Sequence, residues 1–270
     1  MAGCQEMLSI KGICAVMKPI NTLQEVIAAL EIILQDCRAT RNRAGYFAAL
    51  YKRMTEAVAA GIAGNAFEDG PRMEKLDVVF ARRYLDAYGA FGKKETCTDS
   101  WQGAFTGCAD TSLTVIQQLL LGINTHINLD LAIAAATIAP GDSIHDLQED
   151  FNRINGLIAS LFDDVQQCLT EVWFPMRFLK KVINRHGDAV LNFSIERARN
   201  TAWANAVLLA NMDGQQQAAH IQTMDRLVRK IGDGIIHPGF WPQLILKLVR
   251  ITEYDDVART IRLIDETVVD

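Results

Sequence analysis

The chain has 270 residues, of which 50% are hydrophobic and 22% charged, with a formal net charge of -5. That is enough apolar material for a large core. The acidic balance, with no basic stripe, excludes a nucleic-acid footprint and disfavours an anionic membrane surface.

The first 20 residues lack the basic start and long apolar run of a signal peptide and read as a separate N-terminal segment. The remainder, 21–270, reads as one all-α domain. Asn21 and Thr22 offer an N-cap, and Leu23, Ile27, Leu30 and Leu34 then recur at helical spacing. A second helix is predicted from about Ala44 to Ala60, followed by a Gly- and Asn-rich loop over 61–71. Pro71 suits the first turn of the next helix. Its buried stripe is Met73, Leu76, Phe80 and Tyr84, and Asp77 falls inside that stripe. A carboxylate on a core face needs a partner. That partner is either an arginine or a loop backbone, or else Asp77 belongs to a site as a substrate-binding group.

Residues 92–105 read as a connection pinned by Trp101 and Phe105. A long apolar helix comes next, from about 111 to 137, and carries Asn124, His126, Asn128 and Asp130. These polar groups make it a buried central helix rather than a membrane span. Ser143 reads as the cap of a further helix over 144–169, with Asp146 in a capping-box position. Pro175 marks a start or kink, Gly187 a C-cap, and two more helices are predicted over 188–211 and 215–231. Residues 232–242 read as a tight aromatic loop, and short helices over 244–251 and 254–268 end the chain. No strand alternation is present. The expectation is an all-α protein of about ten helices around the 111–137 helix.

The chemistry concentrates on that helix. His126 and Asp130 stand at i, i+4 and share a face. Such a pair can be a structural hydrogen bond, two ligands of a divalent metal, or a metal-free acid–base dyad. Asn124 and Asn128 share a face roughly 160° away at 100° per residue, and amides there hold loop backbone or bind substrate. A second acidic cluster is Asp142, His145, Asp146, Glu149 and Asp150. Asp146 reads as a cap, while Asp150 lies beyond the first turn and is a candidate third metal ligand beside His126 and Asp130. The helix over 188–211 carries Glu196, Arg197, Arg199 and Trp203. Its arginines either neutralise Asp77, Asp130 or Asp150, or bind an anionic or carbonyl-bearing substrate, with Arg199 as catalytic candidate and Trp203 as substrate-binding candidate. No P-loop, nucleophile elbow or GxGxxG is present.

The segments FEDGPRMEKLDVVFARRYLDAY, SWQGAF, LLLGINTHINLDLAIAA, DLQEDFNRIN and RARNTAWANA together resemble a bacterial family defined only as a domain of unknown function. LGINxHINxDL is its most distinctive part. The resemblance implies a helical fold over about 40–250 and brings no activity. It groups Asp77, His126, Asp130, Asp150, Arg199 and Trp203 in the matching segments. The central segment also looks like the HxxxD helix of zinc-dependent phospholipase C, but the His-rich ligand set of those enzymes is not evident.

These residues support two functional expectations. The first is a cytoplasmic enzyme acting on a small molecule through a buried His/Asp pocket, by metal-assisted hydrolysis if a divalent metal binds. The second is a non-catalytic small-molecule or lipid-binding protein with the same pocket.

Overall fold

The structure, a computed structural model, describes residues 19–154, 195–253 and 255–266. Among these residues there are ten α-helices and no strand, so the protein is all-α. The expected helix over 144–169 beyond Ile154, the break at Pro175, the Gly187 cap and the start of the 188–211 helix lie outside the described residues.

Helix α1 (Leu23–Thr40) opens on Thr22, one of the two expected N-caps, in a capping box in which Thr22 accepts from the Glu25 amide and Glu25 reaches back. Helix α2 is Gly45–Ala63. Helix α3, Gly70–Gly92, is capped by Asp69, whose Oδ1 accepts from the Arg72 amide at 2.9 Å. The predicted connection over 92–105 is a helix for much of its length: α4 runs Asp99–Ala109 and buries Trp101 and Phe105 on one face. Its start is capped from far along the chain. Asp225 accepts from the Asp99 amide at 2.8 Å and the Ser100 amide at 3.0 Å.

The central element starts later than predicted. Asp110 accepts from the Ser112 amide to close a turn, and Thr114 forms a capping box with Gln117. Helix α5 (Val115–Thr125) then passes into a π-helical turn, His126–Leu131, and continues as α6, Ala132–Ile138. A π turn holds an extra residue relative to an α turn. It rotates the residues beyond it by about 100°, so a uniform angular reading of this helix fails at His126. The stretch Val115–Ile138 is long and apolar enough to cross a membrane, yet 94% of its most apolar window is buried inside the protein. Helices α2, α3 and α4 pack on one part of its surface. Helices α7 (Ile195–Ala210) and α8 (Gly214–Ile236) cover the rest. Around it one apolar cluster extends from Ile20 to Ile264.

Two further boundaries differ from the sequence expectation. Residues 141–147 form a 3-10 turn, and Ser143 caps no amide; its hydroxyl donates to the Pro140 carbonyl at 2.6 Å. Helix α8 runs through Gly232 and Gly234 rather than ending before them. Gly232 is buried, and an added Cβ would sit 3.6 Å from Leu121 of the central helix. Glycine costs a helix interior only about 1 kcal/mol, which a packed helix can carry. Helices α9 (Phe240–Thr252) and α10 (Val257–Asp265) complete the described chain.

Gly122 of α5 packs closely on Phe47 of α2. A Cβ at Gly122 would lie 2.4 Å from Cγ of Phe47. Gly122→Ala is therefore expected to destabilise by about 1–3 kcal/mol through overpacking, despite the better helix propensity of alanine. Urea unfolding checks this; an unchanged or raised midpoint contradicts the close-packing argument.

Candidate functional site

The π turn brings His126 and Asp130 into direct contact. His126 Nδ1 lies 3.0 Å from Asp130 Oδ2, and both side chains are buried. Asp130 collects two further donors. Trp101 Nε1 donates to Oδ2 at 2.8 Å, and Arg83 Nε donates to Oδ1 at 2.7 Å. With the carboxylate accepting, Nδ1 is the nitrogen of His126 that carries the proton, which leaves Nε2 as a bare acceptor. Nε2 is buried and, among the described residues, has no hydrogen-bond partner.

The imidazole is held by aromatic rings. Phe80 stacks on it at 3.6 Å between centroids and 8° between planes. Tyr51 meets it edge-on at 4.5 Å, and Phe47 at 5.7 Å. Burial lowers the pKa of His126, and the Asp130 carboxylate opposes that shift. The ring is thus biased towards its neutral form, with only the ion-paired side stabilising a positive charge.

Beside the ring lies a small apolar pocket, part of it open to solvent. Its walls come from α2 (Phe47, Tyr51), α3 (Phe80), α5 and the π turn (Ile123, His126), and Ile195 at the start of α7. Among the described residues, His126 is its only lining residue with an ionisable imidazole, carboxylate or ammonium group.

The other expected site residues are dispersed. Asp150 is fully buried and accepts from the Glu68 amide at 2.7 Å and the Asp69 amide at 3.0 Å, with Arg72 and Arg153 at 3.4 and 3.5 Å. It holds the loop that starts α3. Among the described residues no three of His, Cys, Asp and Glu converge closely enough to hold a metal ion. The expected ligand set of His126, Asp130 and Asp150 is therefore not assembled, because Asp150 is committed to that loop. Asn128 donates to Asn124 Oδ1 at 3.1 Å, and Asn124 donates to the Val228 carbonyl at 2.9 Å. This amide pair ties the central helix to α8, and Asn128 does not line the pocket. Trp203 packs on Phe151 at 4.8 Å and is likewise absent from the pocket wall.

Asp77 is buried, and its Oδ2 has no hydrogen-bond partner among the described residues. Burial pushes its carboxyl up to about 7. Neither the arginine nor the loop backbone expected for it satisfies this oxygen. Arg199 is also buried, and among the described residues the Phe151 carbonyl accepts from its Nη2 at 3.1 Å. The arginines beside Asp130 and Asp150 are Arg83, Arg72 and Arg153, and Arg199 is not among them.

The profile of a family described as "Family of unknown function (DUF5995)" matches residues 23–238. The chain belongs to this family. No curated protein and no solved structure matches it. The DUF5995 match spans α1 to α8 and every residue of the His126 site, and ends before α9.

Sequence reasoning misses Arg83 and the role of Trp101. Arg83 lies six residues beyond Asp77 on α3, and nothing in its local pattern marks it as the partner of Asp130. The indole of Trp101 is legible as a core anchor but not as a donor. An indole N–H that becomes buried needs an acceptor, and Asp130, the acidic residue expected to be buried in the central helix, is the acceptor to look for.

Proposed function

We propose that this protein binds a small, largely apolar molecule carrying a hydrogen-bond donor, and that His126 is the proton acceptor for that donor. One observation carries the reading: a buried imidazole whose Nδ1 is held by a carboxylate and whose Nε2 has no partner, on the wall of an apolar pocket. A buried acceptor left empty costs about 1–3 kcal/mol, which a donor on a bound molecule would recover. The same arrangement supports general-base catalysis. When Nε2 takes a proton from a hydroxyl, Nδ1 keeps its proton on Asp130, and the carboxylate stabilises the imidazolium that forms. Asp130 acts in this scheme by orienting the ring, held in turn by Arg83 and Trp101.

Phenol and toluene test the reading, because they match in shape and differ in one donor. Titration calorimetry should show both binding the wild type. His126→Leu is expected to reduce the phenol-to-toluene affinity ratio by roughly 2–10-fold, the worth of one hydrogen bond. A ratio that His126→Leu leaves unchanged would remove His126 from the site.

A further inference from the structure

We infer that the outer face of α9 is the interface of a homodimer, in which two copies of that helix cross antiparallel about a two-fold axis.

Helix α9 is apolar on two sides. Leu246 and Val249 are buried. Phe240, Leu244, Leu248 and Ile251 point the other way and are 75%, 46%, 60% and 80% exposed. They are half of the eight large apolar side chains exposed among the described residues. Their spacing of four, four and three confines them to an arc of about 80° at 100° per residue, opposite the buried pair. Gln243 and Lys247, both exposed, run along one edge of that arc. Single exposed hydrophobic residues are normal, whereas a contiguous apolar patch with a polar rim marks an interaction surface. No residue of α9 lines the His126 pocket, so this face is independent of the reading above.

The order of residues along the face fits a second copy. An isologous two-fold contact requires a surface complementary to itself. Leu244 and Leu248 lie two residues either side of Leu246, and Phe240 and Ile251 lie six before and five after it. In an antiparallel crossing Leu244 therefore meets the partner's Leu248, and Phe240 meets the partner's Ile251. Phe240, Leu244 and Leu248 form an i, i+4 ridge, the kind that interdigitates with its equivalent when two helices pack. At their observed exposures the four side chains leave on the order of 400 Å² of apolar surface in water. Two copies bury twice that, and the polar rim brings the total to about 1,000 Å², the lower bound for a specific contact and within the range of reversible ones. Charge disfavours a lipid surface as the occupant. Helices that lie in a membrane interface are rich in Lys and Arg on their polar face. Arg250 is committed to the Thr111 carbonyl and Asp255. Lys247 is then the one cation of α9 on the rim, with Asp255 and Asp256 exposed just beyond the helix.

The test uses the full chain in sedimentation equilibrium over about a hundredfold range of concentration. The wild type is expected to move from the mass of one chain towards that of two, with half-association at roughly micromolar concentrations. Leu244→Lys and Leu248→Glu are each expected to weaken association at least tenfold, because each sets two charges against apolar side chains. Mixed in equal amounts, the two variants are expected to regain the dimer, since the antiparallel pairing brings the new lysine of one against the new glutamate of the other. Both positions are exposed and both new residues favour helix, so the variants are expected to fold, as circular dichroism checks. Should either not fold, Phe240→Lys with Ile251→Glu repeats the test on the outer pair. A wild type that stays monomeric throughout overturns the inference. Binding of that monomer to phosphatidylserine vesicles, lost in Leu248→Glu, would then assign the face to a lipid surface. Variants that associate as strongly as the wild type place the dimer contact elsewhere and overturn the inference too. Weakened variants that do not recover on mixing overturn the antiparallel pairing.

Discussion

Asp130→Ala is expected to lower the unfolding free energy by about 2–6 kcal/mol, the cost of two buried donors left unsatisfied. The loss comes less from the interactions removed than from the donors left behind. Trp101 Nε1 and His126 Nδ1 both end on Oδ2, and both side chains are buried. Neither can turn to water without unpacking. Arg83 differs: its side chain is 28% exposed and can swing outwards. Truncation therefore strands two neutral donors rather than a charge. Asp130→Asn should cost less, because one amide oxygen still accepts while the new NH2 group faces a donor. Urea unfolding of both variants measures the difference, and Arg83→Ala supplies the control. If Asp130→Ala costs under about 1 kcal/mol, the worth of a single ordinary hydrogen bond, the carboxylate is not the hub of this region. The His126→Leu probe experiment then also loses its rationale, since Asp130 fixes the tautomer on which it depends.

The helical architecture is legible because it rests on periodicity and local caps. Thr22 with Glu25, and Asp69 before Pro71, are signals contained within four residues. Helix α4 is not legible. Its N-terminal amides are satisfied by Asp225, whose bond to Asp99 spans 126 positions of sequence, and no local pattern announces such a cap. The end of α8 escapes local reading for a related reason. Gly232 and Gly234 look like breakers, but the helix continues through both, with Gly232 buried against Leu121.

The candidate site divides in the same way. The i, i+4 pairing of His126 and Asp130 is local, and the contact is there to be read from spacing. Its surroundings are tertiary. Arg83 arrives from α3, Trp101 from α4, and the stacking ring of Phe80 from α3. Asp150 shows the converse error. Its position beyond the first turn suggests a ligand, whereas it serves as a remote acceptor for two backbone amides at the start of α3. Acidic residues buried in helices are equally suited to both tasks, and only the fold separates them.

Asp77 gives the sharpest pH signature. Its folded-state carboxyl lies near 7, against 3.8 for an ordinary aspartate, and burial is the cause. The folded state therefore holds a proton that the unfolded state releases at much lower pH. Stability from this group is fully present below about pH 4 and is lost as pH rises towards 7. At about 1.4 kcal/mol for each pH unit between the two values, the loss reaches about 4 kcal/mol above pH 7. Glu253 is also raised to about 7 by burial, although it accepts from the Val115 amide at 3.0 Å. The wild-type profile thus contains two falling steps in one window. Asp77→Asn removes only the first, so the difference between the two profiles isolates it. The asparagine is neutral at every pH and nearly the same shape as the protonated acid. It is expected to match the wild type near pH 4 and to exceed it by several kcal/mol at pH 8, with unfolding followed by urea at each pH. A constant difference across that range would mean that Asp77 remains ionised in the fold. An ionised Asp77 would need a counter-charge, and none of the ion pairs among the described residues provides one.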